Sequence, residues 1–202
     1  MEKEKIKKVE NNQEKYLSIK DINKKYNLAY KNEFYYECLF LTYALIEDRT
    51  KALLYHIGFL NNNREKVQSK KIIKESIIKI LKIDREKPRY NFDKLYYRLN
   101  HIESIINWIK QEEDENDYEK EIKKVLLKYI NNEDFINTIN YLKNDWKDIR
   151  NELVHGLCNK KIEDASEKLR EVVENGYNCF KIINKAVIGI KKNKIRYKFK
   201  IQ

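Results

Sequence analysis

Residues 133–156 read EDFINTINYLKNDWKDIRNELVHG. Phe135, Ile139, Leu142, Trp146, Ile149 and Leu153 recur at alternating four- and three-residue steps, the spacing that gathers apolar side chains into one seam of an α-helix. Asn132 followed by Glu133 is a helix-opening pair, a capping amide ahead of an acid in the first turn. At about 100° per residue the opposite face carries Asn144, Asp148, Asn151 and His155. Arg150 falls on the flank, about 60° from the seam centre, where its long side chain can swing to the polar face or across an interface. A histidine that points away from its own helix's seam is either solvated or belongs to a second interface.

Outward from this segment the helical period persists. Residues 33–60 read as a long helix, with Leu39, Ile46, Leu53 and Leu60 seven residues apart and Gly58 near the end. An Ile-rich helix follows over 64–83 and stops before Pro88. A third covers 92–112, a shorter one 118–131, and a last one 163–190, with Gly176 as a point of interruption. The first 30 residues carry only weak helical signals. The expected organisation is an N-terminal extension (1–30), an all-α helical bundle (31–190) and a basic C-terminal tail (191–202).

Composition agrees. Four Gly and one Pro in 202 residues argue against a turn-rich sandwich, barrel or propeller. Hydrophobic residues at 42 %, with 12 % aromatic, supply a core despite 37 % charged residues and a mean hydropathy of −0.82. The longest nearly apolar run, Cys38 to Ile46, is far short of the roughly 20 residues that span a bilayer. The opening MEKEKIKKVE has no apolar segment of the secretory kind. Cys38, Cys158 and Cys179 are odd in number and never at CxxC spacing, so neither a disulfide framework nor a zinc site is expected. No metal and no cofactor is called for, and the expected setting is soluble and cytoplasmic.

The net charge of +11 is uneven. The last acid is Glu174. Eight Lys and Arg follow it, so residues 1–174 carry only +3 of that total. At the end, Lys194, Arg196, Lys198 and Lys200 alternate with Ile195, Tyr197, Phe199 and Ile201, a period of two that predicts an extended strip with cations on one side. These four cations are candidate RNA-phosphate contacts; the same pattern also suits a strand glued to the body by its apolar side. Gln111 to Asp117 (QEEDEND) reads as a solvated acidic helix end or loop.

Arg150-Asn151-Glu152-Leu153-Val154-His155, followed by Gly156, resembles the R-N-x-x-x-H signature of the HEPN superfamily of helical ribonucleases and nucleotide-binding proteins. The literal motif covers six residues, while the helical architecture extends the resemblance over about 33–190. The residue types suit metal-independent RNA cleavage, in which the 2′-OH is the nucleophile. Imidazole titrates near neutrality and moves protons. Guanidinium keeps its charge and offers a planar fork to phosphate oxygens. His155 is therefore the candidate proton carrier and Arg150 the candidate phosphate clamp. Asn151, one turn from His155, is placed to orient the imidazole or the phosphate, with Asp148 a weaker candidate. A rival pair, Arg49 and His56, is seven residues apart on one helical face. Arg49 reads as a part-buried arginine paired with a carboxylate, or as a further RNA contact lining the same cleft.

Arg150 and His155 project about 140° apart on one helix, awkward for one compact site. Two copies meeting across a two-fold axis would join both pairs in one cleft, and the resemblance also implies a homodimer. It further implies a prokaryotic toxin or phage-defence setting. The expected activity is an endoribonuclease leaving 2′,3′-cyclic phosphate and 5′-hydroxyl ends. Two other readings stand beside it: a non-catalytic HEPN module that binds RNA or nucleotides, or is paired with an antitoxin or a nucleotidyltransferase; and a basic helical scaffold whose tail alone binds nucleic acid.

Overall fold

The computed structural model describes residues 12–64, 66–84, 86, 90–113, 115–154 and 162–201. Helices α1 (Asn12–Lys31), α2 (Tyr35–His56), α3 (Lys71–Ile80), α4 (Leu95–Trp108), α5 (Asp117–Tyr129), α6 (Glu133–Tyr141), α7 (Lys147–Val154), α8 (Ile162–Lys192) and α9 (Ile195–Lys198) make up the all-α architecture, with a π-helical turn, Leu142–Trp146, between α6 and α7. Among the described residues the only β pairing is an isolated antiparallel bridge, Leu60 to Val67.

The centre is α2. Cys38, Leu39, Leu45, Ile46, Leu53 and Leu54 are all buried, at spacings that cover more than one face. It packs most extensively on α8 and also on α1 and α4. Gly58 ends the helix at φ +97°, a left-handed conformation that side chains rarely adopt. A Cβ there would lie 2.5 Å from Ile201 Cδ1, so the bare backbone also admits the chain's last apolar anchor.

Several expectations shift at element ends. The second helix begins at Lys71, not 64, because Arg64 turns the chain at φ 58° into the Leu60–Val67 bridge. The buried Gln68 then accepts from the amides of Ser69 (2.8 Å) and Lys70 (3.3 Å), and the helix starts just after them. Asn116 and Asn132 cap α5 and α6, accepting from Glu119 N and Phe135 N at 3.0 Å each. Gly176 does not interrupt α8, which runs unbroken for 31 residues. Of the weakly patterned first 30 residues, 1–11 lie outside the described residues and those from Asn12 on form α1, held by tertiary contacts: Tyr26 and Ala29 are buried, and Tyr26 stacks on Tyr177 at 3.8 Å.

The C-terminal residues are not an extended strip. Lys194 takes a left-handed conformation (φ 51°), and Ile195–Lys198 then form a short helix. That turn places Ile195 and Phe199 four apart against the core, and Ile201 follows them inward. Burying Ile195, Phe199 and Ile201 outweighs the period-two pattern, and the odd apolar residue, Tyr197, is left 84 % exposed.

The rod over 133–154 keeps its predicted seam at first: Phe135, Ile139, Leu142 and Trp146 are buried. The π turn then inserts one extra residue per turn and shifts the phase of α7. Ile149 ends up half-buried, and so does Arg150, which lies over the ring at the end of the seam. Asn144 and Asp148 are exposed, as the polar face requires.

Trp146 is the rod's anchor on α8. Its Nε1–H donates to Val172 O at 3.1 Å, and a Cβ on Gly176 would lie 2.6 Å from that nitrogen. Gly176→Ala should lower the unfolding free energy by about 1–3 kcal/mol, as overpacking does, although Ala is the better helix former by about 1 kcal/mol. Urea unfolding reads this directly. An unchanged or raised midpoint would mean that the indole withdraws freely.

Candidate active site

Arg150 is the fourth residue of α7, at the close of its first turn. Its guanidinium carbon lies 4.7 Å from the Tyr43 ring centroid and 5.8 Å from that of Trp146. Nη2 donates to Asn151 Oδ1 at 2.6 Å, so the two motif residues touch. Among the described residues no carboxylate pairs with Arg150. By contrast, Arg98 is bound to Glu47, Arg49 to Asp48 and Arg170 to Glu174. An arginine held by rings and an amide keeps its charge available to an incoming anion. His155 lies outside the described residues.

Beside Arg150 opens a pocket of about 370 Å³. Leu142 and Trp146 come from the π turn, Tyr43 and Glu47 from α2, and Asp93 to Tyr96 from the start of α4. π turns inside helices are common at functional sites because they swing side chains out of the regular phase. Tyr43 and Trp146 lie nearly parallel, 6.4 Å apart, and Lys147 sits 4.9 Å above the Tyr96 ring. The rim is held from within by Arg98, 1 % exposed. Its Nη1 donates to Phe92 O (2.6 Å) and Asp93 O (2.7 Å), Nη2 to Glu47 Oε1 (2.8 Å) and Nε to Thr50 Oγ1 (3.3 Å). Tyr43, Tyr96 and Lys147 are pocket residues that the sequence reading missed. The spacing of Tyr43 and Trp146 from Arg150 is visible in the sequence only if the π turn is known.

Arg49 does not line this pocket. It lies on another side of α2, with Nε donating to Asp48 Oδ2 at 2.8 Å, while Lys15 pairs with the same carboxylate. Burial works against the charged form of Asp48, but Arg49 and Lys15 outweigh it and hold its pKa below the usual carboxylate value. Nearby, Tyr55 lies between two guanidinium groups, Arg64 at 4.3 Å and Arg196 at 4.0 Å. Burial, then the positive fields of Arg64, Lys191, Arg49 and Arg196, push the neighbouring His56 imidazole down to about 3. It is neutral at physiological pH.

Of the tail cations, Arg196 turns inward. It donates to Leu60 O (2.6 Å), Tyr55 O (3.2 Å) and Asn62 Oδ1 (2.7 Å), clamping the end of α2 to the following loop. Lys198 pairs with Glu121. Lys194 and Lys200 lie at the surface. Cys38 and Cys179 are free thiols, and burial pushes both up to about 11, far from a thiolate nucleophile at neutral pH. Among the described residues, no group of three or more His, Cys, Asp or Glu is placed to hold a metal ion, and no helix is long and apolar enough to cross a membrane. Comparison with known protein families, with curated proteins and with solved structures returned no match for this chain.

The depressed His56 has a stability consequence. Unfolded, it takes up a proton near 6.5; folded, only near 3. Between these values the unfolded chain binds more protons, so stability falls as pH drops through that window. Burial also lowers the pKa of His101, against the opposing bond to Asn91 O, and this acts in the same direction. Urea midpoints should decline from pH 6.5 downward, and His56→Asn should flatten part of the decline above the carboxylate range. An identical slope in the variant would exclude His56 as its source.

Proposed function

We propose that this chain is a metal-independent endoribonuclease of the HEPN kind, acting as a homodimer. The observation that carries the reading is Arg150: a guanidinium with no carboxylate partner among the described residues, set on aromatic rings and touching Asn151 at a pocket mouth, five residues before His155. That combination supports an anion clamp five residues ahead in sequence of a proton carrier, the two kinds of group that phosphodiester transfer to a 2′-OH requires.

In this mechanism one imidazole accepts the 2′-OH proton as that oxygen bonds to phosphorus. The Arg150 guanidinium meets the charge that builds on the non-bridging oxygens. The P–O5′ bond breaks, and a second His155, from the other protomer and in its protonated imidazolium form, gives its proton to the leaving oxygen and becomes neutral. The products are a 2′,3′-cyclic phosphate and a 5′-hydroxyl. The large exposed rings of Phe34 (61 %) and Phe40 (71 %) support pairing of two copies, since Phe40 is one turn of α2 from the Tyr43 ring that carries Arg150. The scaffold reading, with the tail alone as nucleic-acid grip, fits less well, because Arg196 is committed to loop carbonyls and Lys198 to Glu121.

Purified protein in EDTA should cleave single-stranded RNA to cyclic-phosphate ends. His155→Ala should slow cleavage by about 10²–10⁴-fold and Arg150→Ala by about 10²–10³-fold. Arg150→Lys should fail to restore the rate, because an ammonium lacks the fork. Cleavage that needs a divalent metal, or equal rates in His155→Ala, would overturn the assignment. A monomer that cleaves at full rate would remove the dimer from it.

A further inference from the structure

We propose that the pocket beside Arg150 receives one unstacked base of the RNA next to the cleaved link, and that it favours guanine. The inference rests on the ribonuclease reading for its substrate and on the pocket's construction for everything else. At about 370 Å³ the space suits a single base with room to enter, not a folded RNA element. Leu142, Leu95 and Leu99 give an apolar floor. Tyr43 and Tyr96 offer ring faces to a planar guest, and Tyr96 is 43 % exposed, which leaves its ring accessible.

The two cations at the mouth are fixed over those rings: Arg150 over Tyr43 and Lys147 over Tyr96, at 4.7 and 4.9 Å. A base entering the slot would carry its own phosphate to this pair, so stacking and charge would act on one nucleotide. Acceptors for the base edge are few. Glu47 is engaged by the buried Arg98. Asp93 is exposed at the rim, and its carboxylate has no partner among the described residues, while its backbone oxygen is pinned by Arg98 at 2.7 Å. With the backbone held there, the Asp93 carboxylate at that edge accepts two hydrogen bonds from guanine, whose N1–H and N2–H are adjacent donors, and only one from the Watson–Crick edge of adenine, cytosine or uracil.

The test uses the full chain and a set of short single-stranded RNAs that differ in the bases flanking one cleavable link. Wild type should prefer guanine at one flanking position by about tenfold in kcat/KM. Tyr96→Ala should raise KM by about tenfold with kcat retained, as expected for losing one stacked base. Asp93→Asn should level the preference among bases. Tyr197→Ala, on the exposed side of α9, serves as the control and should change nothing. Cleavage indifferent to base, or unaltered by Tyr96→Ala, would overturn the pocket assignment while leaving the nuclease intact. A fluorescent 2′-deoxy oligonucleotide, which has no nucleophile, separates the converse case. Anisotropy binding that weakens in Tyr96→Ala upholds the pocket even if no RNA is cut, and binding equal in both proteins rejects it.

Discussion

The close seating of Trp146 against α8 is the contact on which the rest of the molecule depends. One indole reaches a helix backbone at Val172, occupies the space that a side chain on Gly176 would need, and turns its other side to Tyr43 on α2. It therefore joins the rod of α6 and α7 to both helices of the central pair. Because the π turn ends at this residue, the same contact sets the rotation of α7, and with it the place of Arg150. Core packing and site geometry are one arrangement here.

Much of this was legible in the sequence. The seam from Phe135 to Trp146, the Asn132 cap and the glycine at the end of α2 all follow from local rules of spacing and capping, and local rules hold where the buried face is unambiguous. The parts that were not legible share a cause: a long-range contact overruled a local period. The tail alternates with period two, yet three apolar residues find more burial by curling into a turn than by lying flat. Residues 12–31 have a weak local signal and become helical because Tyr26 has Tyr177 to stack on. The π turn has no local signature in LKNDW, and without it Arg150 falls on the flank of the seam, not over Trp146 and Tyr43. Arg49 reads as a part-buried arginine paired with a carboxylate, and Asp48 is that carboxylate; Arg196 reads as a phosphate-contacting cation, and its partners, the carbonyls of Tyr55 and Leu60, come from the fold.

The arginines illustrate how surroundings divide one residue type into different tasks. Arg98 is sealed in the interior, where four acceptors, one of them a carboxylate, make its charge tolerable. Arg196 closes a loop by donating to main-chain oxygens, and Arg49 shares a carboxylate with Lys15. Among the described residues Arg150 alone of these four has neither a carboxylate nor a main-chain carbonyl as partner; it rests on rings and a side-chain amide, contacts that orient a cation without neutralising it. The sequence motif names that residue, and its surroundings give the motif a physical meaning.

Arg98 also ties the pocket rim to the molecular interior, since the guanidinium that fixes Phe92 and Asp93 is the one that bridges to Glu47 and Thr50. The rim cannot loosen without exposing a buried charge, so opening it and unfolding the bundle are thermodynamically coupled. By linkage, any compound that fills the pocket of the native state raises the free energy of denaturation by RT ln(1 + [L]/Kd). Melting temperature is then a label-free readout of occupancy, and a library of small planar anions can be ranked on this chain before any substrate is in hand.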